Sequence, residues 1–283
     1  MEKIKSTIFS FLLLQLFAVG LISCSDNLPK KTFSPFPFEP KITRTADSLF
    51  LEYVNEVACP VQLKINTNFP DPSYKYATRN PIIVPAFGVL KRKFKKPDLV
   101  EIPAKYFSFA GSEIGNPAEV SIDTSTRYAY PFPRNKSYKI IQGYNGNFSH
   151  KSDYSRYAVD FALAIGDTVC AARDGIVVGV VKDYNIGGND RKYRDYANFI
   201  TLYHADGTFT QYVHLKQNGA FVAIGDTVRT NQPIGLSGMT GFTSIPHLHF
   251  NVLKPTFDGA KSFPVKFFPL DGKDLKTGMK VQH

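Results

Sequence analysis

Cysteine is scarce in this chain and never paired. Cys24, Cys59 and Cys170 stand alone, with no Cys-x-x-Cys spacing. That excludes a thiolate zinc site of the usual kind and a disulfide scaffold. If Cys24 is used otherwise, one disulfide between Cys59 and Cys170 is possible. Histidine is absent from the first 149 residues. No His-Glu-x-x-His run occurs, which removes a thermolysin-like helix from consideration. Long apolar runs are also missing. The stretch from Ile8 to Ile22, broken by Ser10 and Gln15, is the one that approaches membrane length, and it is short of the ~20 residues a span needs.

That stretch instead has the form of a secretory signal over residues 1–23, with Lys3 and Lys5 as its basic start. It ends in Leu21-Ile22-Ser23-Cys24, which resembles a bacterial lipobox. Cleavage before Cys24 and acylation of its thiol would leave a membrane anchor; the alternative is an ordinary signal peptide with Cys24 incidental. Residues 24–44 carry Pro29, Pro35, Pro37 and Pro40, which break any regular helix and point to a tether. The formal net charge is +10. A cationic surface favours acidic partners, but the export signal argues against nucleic acid, and a solvated basic surface without a specific partner fits equally. The densest cluster, Lys91-Arg92-Lys93-Phe94-Lys95-Lys96, follows Val89-Leu90 and fits the end of a strand.

Strand formers dominate the rest, so the expected fold is all-β. Residues 45–120 contain Ser48–Val54, Val61–Asn66, Ile82–Val84, Val89–Phe94 and Tyr106–Phe109, short strand-like runs separated by polar and proline turns. They predict a small β-sandwich-like accessory domain. Residues 111–130 read as a linker, with Gly115-Asn116-Pro117 near its start. A second, compact antiparallel β-domain is expected over 128–270, with strands at Ile176–Val181, Phe199–Tyr203 and Thr208–Val213. Within it Ile165-Gly166-Asp167-Thr168-Val169 repeats as Ile224-Gly225-Asp226-Thr227-Val228. Gly-Asp supplies a tight turn, so two hairpins are expected, with the flanking Ile and Val entering strands.

Five of the six histidines, 150, 204, 214, 247 and 249, fall in this second segment, and His283 is the last residue. His283 is expected to be disordered, His204 to be structural at a strand end, and Asn198 to be a turn residue. His247 and His249 are two apart, which on a strand places both on one face with Leu248 and Phe250 behind. Such a pair suits a metal site with one ligand and one auxiliary group; two hydrogen-bonded surface histidines would give the same pattern.

The surrounding residues carry a resemblance. Thr240-Gly241-Phe242-Thr243-Ser244-Ile245-Pro246-His247-Leu248-His249-Phe250-Asn251-Val252, Tyr212-Val213-His214-Leu215 and Ala158-Val159-Asp160-Phe161-Ala162 resemble, in order and interval, the signatures of lysostaphin/LytM-type zinc peptidases. The resemblance spans roughly 128–255. It implies a small β-domain with one Zn2+ per chain that hydrolyses peptide bonds in peptidoglycan stem peptides or cross-bridges; the signal-like segment and Cys24 add the expectation of a lipid-anchored protein of the cell envelope, periplasmic or outer-membrane associated. Residue by residue, it makes Asp160 and His249 metal ligands and His214 and His247 the unligated catalytic pair. Tyr144 is a candidate to line the site for substrate, with a packed strand aromatic as the alternative. One position departs. The family's first histidine stands four residues before the Asp, where this chain has Arg156, which stays protonated and cannot bind zinc. His150 is the expected replacement, with 151–157 as an excursion before the Asp160 strand. If it does not complete the set, the chain would be a non-catalytic relative that binds wall or activates another hydrolase.

Overall fold

The computed structural model describes residues 28–29, 39–45, 48–66, 81–95 and 108–283. The signal segment, Cys24, most of the tether, and Tyr106 and Phe107 lie outside the described residues. The described elements are β-strands and short 3-10 turns, and no helix among them is long and apolar enough to cross a membrane. By contacts the chain divides into Met1–Thr32 and Phe33–His283; all that follows concerns the second unit.

Its first part is built from two three-stranded antiparallel sheets. One runs in the order Lys41–Arg44, Ser48–Val54, Val89–Lys95, and the other Ile82–Val84, Val61–Asn66, Ser108–Ile114. The period-two pattern explains their packing: Leu49, Leu51 and Tyr53 from one sheet and Val61, Leu63 and Ile65 from the other are buried in one cluster. Val178, Phe209 and Leu253 from the second part join that cluster. Two expectations change here. The last residues of the expected tether, Lys41–Arg44, pair with Ser48–Val54. The expected linker begins inside a strand, because Ser108–Ile114 continues through Gly111 by a bulge opposite Lys64 and Ile65.

The second part centres on a nine-stranded sheet. Its order is Thr227–Val228, Gly175–Val181, Phe199–Tyr203, Phe209–Val213, Leu248–Lys254, Val159–Phe161, Ser137–Gln142, Lys280–Gln282, with Lys261–Ser262 against Leu248–Lys254. Thr168–Cys170, Pro233–Ser237 and Leu215–Ala220 make a smaller sheet. The two faces close over Tyr130, Phe132, Phe161, Val177, Ile200, Leu202, Tyr212, Leu248 and Phe250. The Cys59–Cys170 disulfide that the sequence permits is not formed; both cysteines are free and buried, and burial pushes their thiols up, to about 12 and about 11.

The five-residue repeat makes two matching turns but not two hairpins. Gly166 and Gly225 have φ of 92° and 97°, and Asp167 and Asp226 each accept from a backbone N–H three residues back at 2.8 Å. The strand after each turn pairs with the other repeat. Thr168–Cys170 joins Pro233–Ser237, and Thr227–Val228 joins Gly175–Val181. Val169 and Val228 enter strands as expected and are buried, whereas Ile165 and Ile224 stay outside the strands, exposed on the turns.

Candidate metal centre

Sheet register brings the sequence-predicted residues together. Asp160 and His249 are direct partners on neighbouring antiparallel strands, and Val213 is the partner of His249 on its other side. His214 follows Val213 with a left-handed φ of 67°, a conformation that costs a non-glycine residue energy and turns its side chain out of the strand's row. His247, bridged to Gly238, stands two residues before His249 on the same face. His150 arrives from the 143–158 connection between strands Ser137–Gln142 and Val159–Phe161, which pair antiparallel.

His150 Nε2, His249 Nδ1 and Asp160 Oδ1 converge. The first two are 3.2 Å apart, His249 Nδ1 is 2.8 Å from Asp160 Oδ1, and His150 Nε2 is 3.2 Å from the same oxygen. A tetrahedral ion with bonds of about 2.0–2.1 Å sets its ligand atoms roughly 3.3 Å apart. Two imidazole nitrogens and a carboxylate oxygen already near that spacing are a donor set that can hold a metal ion, and they fit zinc.

Three of the four imidazoles, those of His150, His214 and His247, are oriented through Nδ1. His150 Nδ1–H donates to Gly143 O at 2.9 Å, which leaves Nε2 for the centre. His214 Nδ1–H donates to Thr240 O at 2.7 Å. His247 Nδ1 lies 2.9 Å from Ile245 O and 3.1 Å from Thr243 Oγ1, and its Nε2 is 3.8 Å from Asp160 Oδ1. The His214 and His247 rings are 4.6 Å apart. Thr240 itself is fixed, since its hydroxyl donates to Leu215 O and accepts from Asn198 N. Asn198 is fully buried rather than a turn residue; its side chain bonds Tyr184 N, Tyr184 O and Leu215 O.

Electrostatics follow from this packing. Burial opposes ionisation of Asp160, yet hydrogen bonds from His150 and His249 hold its carboxyl well below the usual range. Burial works against protonating His150, but its bond to Asp160 and that charge leave it raised. Burial, then the neighbouring His247 and His249, push His214 down to about 3, so it is neutral at ordinary pH.

The excursion that delivers His150 is a series of turns. Ser155 N and Arg156 N donate to Ser152 O, and Ser155 Oγ donates to Ser149 O at 2.8 Å. Asn251, two residues beyond His249, donates from Nδ2 to Tyr154 O at 2.6 Å, and its Oδ1 accepts from Ser262 Oγ. Arg156, at the position where a histidine was to be expected, pairs with Asp153 on the surface. Gln142 donates from Nε2 to Asp160 Oδ2 at 3.0 Å and accepts from Phe148 N. No motif marks Gln142 in the sequence; Thr240, Thr243 and Asn251 stand inside the signature run at 240–252, which gives them no role of their own.

Tyr144 is placed apart from the cluster. Its hydroxyl bonds Val265 N and Val265 O, its ring packs edge-on to Tyr157, and it lines a cavity of about 300 Å³ with Tyr128, Phe263 and Val265 that none of the five site residues lines. His204 is buried, bonded to Asp174 O at 2.7 Å and Thr210 Oγ1 at 3.0 Å, as its structural reading requires. His283 is held rather than disordered, its Nε2 lying 3.1 and 2.9 Å from Tyr130 O and Phe132 O.

Residues 154–264 match the model of peptidase family M23. That span contains Asp160, His214, His247 and His249, while His150 precedes it. The chain is 34% identical over 124 residues to an uncharacterized metalloprotease of Buchnera aphidicola, covering 43% of this chain and 30% of the relative. It is 36% identical over 104 residues to glycyl-glycine endopeptidase ALE-1 of Staphylococcus capitis, covering 36% and 26%. It is 28% identical over 156 residues to peptidoglycan DD-endopeptidase ShyA of Vibrio cholerae, covering 51% and 34%. The chain thus spans about a third or less of these relatives' lengths. Residues 154–264 thus resemble peptidase family M23, and the histidine–aspartate cluster lies in the same β-fold.

Proposed function

We propose that the chain is a zinc metalloendopeptidase of the cell envelope that hydrolyses peptide bonds in peptidoglycan stem peptides or cross-bridges. The observation that carries the reading is the convergence of His150 Nε2, Asp160 Oδ1 and His249 Nδ1, with two further imidazoles beside them. In this reading His150, Asp160 and His249 hold the ion. Zinc supplies Lewis acidity there, polarising a scissile carbonyl and acidifying water.

His214 and His247 do the proton work. Both rings have Nδ1 against a backbone carbonyl, so each neutral ring carries its lone pair on Nε2. An Nε2 in that state takes the proton of the attacking water. Once protonated, the same Nε2–H can hydrogen-bond the developing oxyanion and then return the proton to the leaving amine.

The named activities of the two endopeptidase relatives support the substrate class. The signal-like start and Cys24 support a lipid anchor and a periplasmic or outer-membrane location. Protein purified without chelator is expected to contain one zinc per chain and to release muropeptides from isolated peptidoglycan. If protein purified in that way holds no zinc and releases no muropeptides, the assignment is overturned. Loss of fatty-acid labelling in a Cys24→Ala variant is the corresponding test of the anchor, and an unlabelled wild type would exclude it.

A further inference from the structure

We infer that Gln142 is the positioning residue of this metal centre, a single buried amide that fixes the Asp160 carboxylate and the turn carrying His150 at the same time. The inference rests on the metal-centre reading above. Gln142 ends its strand in register with Asp160. Nε2 donates to Asp160 Oδ2 at 3.0 Å and to Ser149 Oγ at 2.9 Å, and Oε1 accepts from Phe148 N at 2.9 Å. Both donor hydrogens and the acceptor therefore point into the site.

The two oxygens of Asp160 are made unequal by this contact. Oδ1 faces His150, His249 and His247, while Oδ2 is taken by the amide. A free carboxyl turns easily about its terminal torsion, which has broad wells. The amide bond stops that rotation, presents Oδ1 to the ion and disfavours two-oxygen binding.

The opposite end of the amide reaches the turn. Phe148, whose N–H it accepts, precedes His150 by two residues, and Gly143, next in sequence to Gln142, supplies the carbonyl that orients His150. One dipeptide thus sets both ligands that precede the His249 strand. The long step from His150 to Asp160, where the family spacing would have used position 156, is spanned in space by one side chain. The local glycines serve this arrangement. A Cβ on Gly146 would lie 2.1 Å from Gln142 Cγ, and one on Gly143 would lie 2.3 Å from Leu275 O.

The test is zinc affinity of the full chain by competition with a chromophoric chelator, together with thermal unfolding of metal-free and zinc-loaded forms. Gln142→Met keeps the side chain's length and removes its hydrogen bonds. It is expected to weaken zinc 10–100-fold, the usual effect of losing an outer contact to a ligand, while the metal-free form melts within a few degrees of wild type. Gly146→Ala, in the turn, displaces the amide without deleting it and is expected to weaken zinc in the same direction; it serves if Gln142→Met does not fold. Cobalt-loaded Gln142→Met is expected to lose visible absorption intensity as Asp160 binds through both oxygens. A wild type that takes up no zinc would overturn the metal-centre reading itself. Zinc held equally tightly by wild type and both variants overturns the role of Gln142 alone, as does a Gln142→Met variant whose metal-free form loses as much stability as the loaded one.

Discussion

Asp160 and His249 sit directly opposite one another on adjacent antiparallel strands, with Oδ1 2.8 Å from Nδ1. Two of the three candidate ligands are therefore placed by backbone register, and the third by a turn. The register pair fixes distance without a flexible loop, so removing either side chain should disturb the metal far more than the fold. Asp160→Asn is expected to reduce zinc affinity by more than the roughly 10–100-fold typical of outer contacts. Competition titration checks this, with circular dichroism to show that the sheet persists.

His214 and His247 present a different case. Neither belongs to the converging ligand set, so His214→Ala and His247→Ala should each keep one zinc per chain. Each is expected to lower the turnover of peptidoglycan fragments by about 10²–10⁴, the contribution of a positioned acid or base. Metal analysis beside a hydrolysis assay separates this from ligand loss; a variant that also loses its zinc would reassign that histidine.

His204 predicts a pH dependence of stability away from the centre. Burial, opposed by the bond to Asp174 O, lowers it to about 4 from an ordinary 6.5. The folded state therefore holds His204 neutral where the unfolded chain is already protonated. Stability from this group is complete above about 6.5 and is lost as the pH falls toward 4, by roughly 3 kcal/mol in total. Urea unfolding of wild type and His204→Gln between pH 7 and 4 should show the steeper fall in wild type. Equal slopes would remove His204 as the cause.

The matched turns give a comparison of glycines. At Gly166 and Gly225 an added Cβ meets nothing within 4 Å, so Ala at either site should cost only the left-handed backbone term, roughly 1–2 kcal/mol, and nearly the same at both. Gly143→Ala instead drives a Cβ against the Leu275 carbonyl. It should cost more and weaken zinc as well, because Gly143 O orients His150. Parallel unfolding and zinc titrations of the three variants check the ranking.

The sequence made some of this visible. His247-Leu248-His249 and Ala158-Val159-Asp160 are local patterns, and alternation alone shows which face each side chain takes. The strands at Val61–Asn66 and Phe199–Tyr203 were legible for the same reason. What was not legible depends on partners distant in the chain. Gln142 looks like any polar strand end until Asp160 and Phe148 are beside it. Asn198 looks like a turn residue until Tyr184 and Leu215 surround it. The Gly-Asp repeat announced two turns correctly, but which strands they feed is decided by pairing across the domain. Tyr144 entered as a candidate through the resemblance, and its hydroxyl bonds the Val265 backbone.

The exchanged pairing of the repeat has a kinetic consequence. Thr168 waits for Leu236, Gly175 for Val228 and Asp160 for His249. None of these ladders can close on a polypeptide that stops short of its later partner, so a partly synthesised chain carries no ligand set. Long loops must close before those contacts form, which makes their assembly slow and collective. A chain arranged in this way acquires its metal-binding capacity in one late event rather than ligand by ligand.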